Sequence, residues 1–124
     1  MDAETLAERY LAALEAASLP DIAALFTADG VVVSPLYGTM PAADFYAALF
    51  ADTNRSDTTL LRVLTGPDGS AALHFRYRWT LSGGKVVTFE VVDIVELEAG
   101  RIAKLTILYD TAPLRAAHTA ARSG

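Results

Sequence analysis

From Thr58 onward the sequence changes period. Upstream, apolar residues recur every three or four positions; downstream they alternate, and three short turns cut that alternation into four segments. The turns are Gly66-Pro67-Asp68-Gly69, Ser82-Gly83-Gly84 and Glu98-Ala99-Gly100, and they bound strands over Leu60–Thr65, Ala71–Leu81, Lys85–Leu97 and Arg101–Tyr109. Connections of hairpin length join antiparallel neighbours, so this half is predicted to be an antiparallel meander. Such a sheet has an apolar face that the amphipathic segments upstream must cover. The expected class is α+β, three N-terminal helices packed on a curved antiparallel sheet, in one domain over residues 1–124.

The upstream segments read as follows. Leu6, Tyr10, Leu14 and Ala17 share a helical stripe, with Asp2 placed to cap it. Ser18 and Pro20 start a second helix with Ile22, Leu25 and Phe26 as its apolar side, and Ala28-Asp29-Gly30 stops it. Val31–Val33 is a short β-branched strand ended by Ser34-Pro35 and a loop through Tyr37-Gly38. Thr39 and Pro41 open a third helix, whose buried side is Phe45, Ala48 and Leu49, with Tyr46 and Phe50 as an adjacent i, i+4 pair. Polar residues Asp52 to Asp57 end it, and Pro113–Arg122 is a weak Ala-rich helix or a frayed tail.

Composition removes whole classes of function. Zero cysteines excludes disulfides, thiolate metal sites and cysteine nucleophiles. A net charge of −5 argues against a nucleic-acid partner. No uncharged apolar run approaches the ~18 residues a membrane span needs, and MDAETLAERY does not read as a secretory signal, so a cytoplasmic location is expected. No phosphate loop, nucleophile elbow or metal-binding spacing occurs, so neither cofactor nor metal is expected.

One acid breaks the alternation. Leu73, Phe75, Tyr77, Trp79 and Leu81 share one strand face, and in the next strand Phe89, Val91, Val95 and Leu97 share theirs with Asp93. A carboxyl between Val91 and Val95 is costly to ionise. It is either a structural hydrogen-bonding partner or an acid of raised pKa that donates a proton to a ligand. Tyr10, whose stripe faces the sheet, is either a satisfied core aromatic or a second donor to the same ligand oxygen. His74 alternates with Arg76 and Arg78 on the opposite face, where Glu90 and Glu96 offer ion-pair partners. Asp110, just before Thr111-Ala112-Pro113, suits a turn or cap.

The segments AERYLAAL (7–14), PDIAALFTADGVVV (20–33), DFYAALF (44–50), LTGPDG (64–69), FEVVDIVEL (89–97) and GRIAKLTILY (100–109) resemble the cone-shaped NTF2-like family. Within it they are most similar to bacterial ketosteroid isomerases and SnoaL-like polyketide cyclases. The resemblance implies that Tyr10 stands at the oxyanion tyrosine and Asp93 at the protonated aspartic acid that together stabilise a dienolate. It also implies that Tyr46 is a supporting tyrosine, and it puts Phe26 where another tyrosine would be expected. At the strand-end position that should carry the catalytic base stands Ser34, a far weaker base. The Asp–Arg–Asp set of limonene-epoxide hydrolases has no counterpart, since the strand reads Arg76-Tyr77-Arg78.

The expectation is therefore a homodimer with an apolar pocket for a small hydrophobic, steroid-like or polyketide-like molecule. Tyr10 and Asp93 would bind its oxygen for an acid-assisted isomerisation or cyclisation, or the pocket would bind without turnover. Ser34, Tyr46, Phe50, Phe75, Tyr77, Trp79, Phe89, Val91, Leu105 and Tyr109 would line it.

Overall fold

Side-chain caps set the first two helices. In the computed structural model, which describes residues 2–123, Asp2 accepts the Thr5 amide at 2.7 Å and starts α1 (Ala3–Ala16). Ala17, in the left-handed region at φ 50°, ends it, and Ser18 caps α2 (Leu19–Ala23) through the Asp21 amide at 3.2 Å. Next come β1 (Phe26–Ser34), β2 (Gly38–Pro41) and α3 (Ala42–Ala51). They are followed by β3 (Thr53–Thr65), β4 (Ala71–Leu81), β5 (Val86–Glu98), β6 (Arg101–Leu108) and α4 (Ala112–Ser123). The six strands form one curved, unclosed sheet in the order β2-β1-β6-β5-β4-β3. Register shifts in β3 and between Glu96 and Leu97 bend it, as bulges do.

The meander β3-β4-β5-β6 is antiparallel, with turns at the three glycine-containing sites. Its inner face carries the buried residues Leu73, Phe75, Tyr77, Trp79, Leu81, Val91, Asp93 and Val95. On the outer face His74 Nε2 lies 2.7 Å from Glu90, and Arg78 lies 3.6 Å from Asp57 rather than by Glu96, which the register sets opposite Lys104. Asp110 caps α4 through the Ala112 amide at 3.1 Å.

Three element boundaries and one strand pairing differ from the sequence reading. Phe26 does not end the second helix but begins β1, where it pairs with Ile102; the Ala28-Asp29-Gly30 stop lies in an irregularity of that strand. Gly30 is required there by close approach, because a Cβ would meet the Phe26 ring at 2.9 Å and the Ile102 carbonyl at 3.0 Å. β1 then pairs parallel with β6, so the sheet is mixed rather than wholly antiparallel. Thr39, expected to open the third helix, lies in β2, and Pro41 takes the N-cap position of α3. Thr53 to Asp57, expected only as a polar stretch ending the third helix, is the start of β3. Its polar side chains are absorbed locally: Thr53 donates to the Leu49 carbonyl at 2.6 Å and Ser56 meets the Tyr77 hydroxyl at 2.7 Å.

Candidate functional site

Strand alternation aims a group of aromatic side chains and one acid at the same space. Phe75, Tyr77 and Trp79 of β4, with Phe89, Val91, Asp93 and Ile107 of β5 and β6, wall a cavity of about 40 Å³. Tyr10 and Leu14, one helical turn apart on α1, close one side. Phe45 and Leu49 of α3 close another, and Ser34, Leu36, Tyr37, Tyr109 and Leu114 complete the lining.

Nine of the twelve residues expected at the site meet here: Tyr10, Ser34, Phe75, Tyr77, Trp79, Phe89, Val91, Asp93 and Tyr109. Three do not line the cavity. Tyr46 is one stripe removed, and its hydroxyl reaches the site only through Tyr10, 2.7 Å away. Phe50 follows Tyr46 by one turn and packs on its ring at 6.0 Å, because the cavity-facing stripe of α3 is Phe45–Leu49. Leu105, registered between Val32 and Val95, is fully buried in the apolar core.

Asp93 is the chemically distinctive group. It is 1% exposed, and among the described residues its Oδ1 has no hydrogen-bond partner. Burial pushes its carboxyl up from the usual range to about 8, while the nearby Tyr10 hydroxyl pulls the other way. At pH 7 the acid is mostly neutral and carries a proton it can donate. Burial likewise holds the Tyr10 and Tyr46 phenols well above their ordinary range; Tyr46 and Asp93 push Tyr10 further up, whereas for Tyr46 Asp93 adds to the rise and the Tyr10 hydrogen bond opposes it. Both therefore remain hydrogen-bond donors. Burial also raises Tyr77 and Tyr109, partly offset by hydroxyl contacts from Ser56 and Ser34.

Ser34 has a different occupation. Its Oγ accepts the amides of Leu36 and Tyr37, both at 3.2 Å, which fixes the turn between β1 and β2. With its lone pairs engaged it has no capacity to accept a substrate proton.

Sequence reasoning missed a second polar cluster at the cavity edge. The Tyr37 hydroxyl donates to Asp52 Oδ2 at 2.6 Å, and His118 Nε2 of α4 lies 2.9 Å from the same oxygen. The His118 ring stacks on Trp79, 6.2 Å between centroids at 22°. The available signal was the i, i+4 spacing of Leu114 and His118, which places both on one face of α4.

The SnoaL-like domain family matches residues 7–105, four-fifths of the chain. The chain belongs to that family. Solved structures agree on the fold. A proposed SnoaL-like polyketide cyclase from Jannaschia sp. CCS1 superposes with a TM-score of 0.79 at 16% identity, covering 94% of this chain and 90% of its own. A proposed polyketide cyclase from Pseudomonas putida KT2440 gives 0.75 at 23% identity, with coverages of 89% and 92%. A protein with a ketosteroid isomerase-like fold from Catenulispora acidiphila DSM 44928, in complex with trimethylamine, gives 0.75 at 17% identity and 85% coverage of each chain. No curated protein is detectably similar in sequence. The SnoaL-like chain thus shares the NTF2-like α+β architecture expected from its segments. No helix among its described residues is long and apolar enough to cross a membrane.

Proposed function

We propose that this SnoaL-like protein takes a small hydrophobic molecule bearing a carbonyl, enol or epoxide oxygen and polarises that oxygen with Tyr10 and neutral Asp93. The supporting observation is the buried Asp93 Oδ1, unpartnered among the described residues and facing a cavity walled by aromatic rings. A neutral acid and a phenol are both donors, and together they stabilise negative charge developing on the ligand oxygen. The reactions this favours are isomerisation and cyclisation, and that two similar folds are proposed polyketide cyclases is in keeping with it. A second reading, a binding protein without turnover, is favoured by Ser34, whose oxygen is occupied by two amides where a proton acceptor would stand.

A rate measurement separates them. Wild type is expected to isomerise a β,γ-unsaturated cyclic ketone slowly or not at all. Ser34→Asp adds a carboxylate at that position and should raise the rate, on the scale of the ~10²–10⁴-fold that general-base catalysis contributes. Ser34→Asp with Tyr10→Phe should lose most of the gain. A folded Ser34→Asp protein with no added activity would leave binding as the function, and fast wild-type turnover would expose a base elsewhere.

Assembly belongs to the same proposal. The outer sheet face presents Val92, Ile94 and Leu108, the last 49% exposed, among Arg76, Arg78, Glu90 and Glu96. Apolar residues interspersed with both charge signs are self-complementary about a two-fold axis, so we place a homodimer there. Light scattering at micromolar concentration is expected to give twice the chain mass, and Leu108→Glu to give the monomer. A wild-type monomer would overturn this assignment.

A further inference from the structure

The cavity is too small for the ligand its walls suit. About 40 Å³ holds roughly three waters, whereas a single aromatic ring needs on the order of 150 Å³. What fills the remaining space is partly α4. Its Leu114 is 1% exposed and lines the cavity, and Ala117 beside it is also buried. Yet α4 belongs to no strand ladder, so it can lift without breaking the sheet.

A few polar contacts hold α4 down. Arg115 donates to the Pro35 carbonyl, just beyond β1, and His118 meets Asp52 at the end of α3. Both anchor points flank cavity-lining residues, Ser34 and Leu36 on one side and Leu49 on the other. The His118–Trp79 stack adds a contact that reaches a cavity wall directly.

We propose that α4 is the lid of the pocket, with the His118–Asp52 contact as its latch, and that a ligand enters only when Leu114 withdraws. This rests on the pocket reading above, so the test keeps the two apart. Trp79 is the only tryptophan in the chain and lines the cavity, which makes its emission a reporter of entry. Binding of 2-naphthol is followed by stopped flow for wild type and His118→Ala, and amide hydrogen exchange is measured on both proteins without ligand. Because Leu114 fills space the ligand needs, the latch holds only the ligand-free state, and removing it destabilises that state alone. Association should therefore quicken by about tenfold and Kd tighten by a similar factor, while dissociation changes little. Amides of α4 should exchange about tenfold faster, with those of β4 and β5 unchanged.

Unchanged α4 exchange in His118→Ala overturns the lid, as does unchanged naphthol entry. If 2-naphthol binds neither protein, the pocket reading falls and the exchange measurement alone decides the lid. Should His118→Ala fail to fold, Asp52→Asn weakens the same contact and is read in the same way.

Discussion

Replacing Asp93 by asparagine should flatten the dependence of stability on pH between about 4 and 8. The wild-type carboxyl titrates near 8 when folded, against 3.8 for an unperturbed aspartate. The folded state therefore holds this proton more tightly than the unfolded one across that window. The contribution is fully present below pH 4 and is lost progressively as pH rises through 8. At about 1.4 kcal/mol per pH unit, the change is on the order of 5 kcal/mol, comparable with the whole stability of many domains. Urea unfolding of wild type at intervals from pH 5 to 9 should show it as a falling midpoint. Asp93→Asn has no proton to lose and should give a nearly level line. Parallel curves for the two proteins would mean that the carboxyl is solvated in the folded state.

The second large effect is on ligand binding. If Tyr10 and Asp93 both donate to one oxygen, Tyr10→Phe and Asp93→Leu should each weaken binding of 2-naphthol at pH 7 by about 10- to 100-fold. That is the range for losing one strong hydrogen bond worth about 1.5–3 kcal/mol. Above pH 8 the wild-type advantage over Asp93→Leu should shrink, because an ionised Asp93 has no proton to offer and repels a developing oxyanion. Calorimetric titration of the three proteins at pH 6, 7 and 9 checks both parts. Equal affinities throughout would make Tyr10 and Asp93 partners of each other and of nothing else.

How much of this was legible in the sequence depended on the range of the forces involved. A two-residue period is local, so the face of Asp93 followed from β5 itself, and the stripe of Tyr10 followed from α1. The chain could not announce through local pattern that β1 would lie parallel to β6, because that pairing joins residues about seventy positions apart. Thr53 to Asp57 read as no more than the polar end of α3 because its side chains suggested solvent, whereas Thr53 and Ser56 find their partners within the fold. Phe45 and Phe50 are equally apolar, and only the angle at which α3 docks decides which one meets the cavity. The role of α4 was hidden for a similar reason. Its alanines carry little hydrophobic signal, and the partner of His118 lies on a different helix.

The parallel pairing of β1 with β6 has a bearing on how the protein is made. Strand β6 sits between β1 and β5, so the N-terminal third cannot join the sheet until the last strand has left the ribosome. Until then the apolar sides of α1 and α3 have only the incomplete meander to rest on. Long-range pairings of this kind slow folding and prolong exposure of sticky surface. Nascent chains stalled before β6 should therefore engage chaperones, and rapid release should begin only once residues 101–108 have emerged.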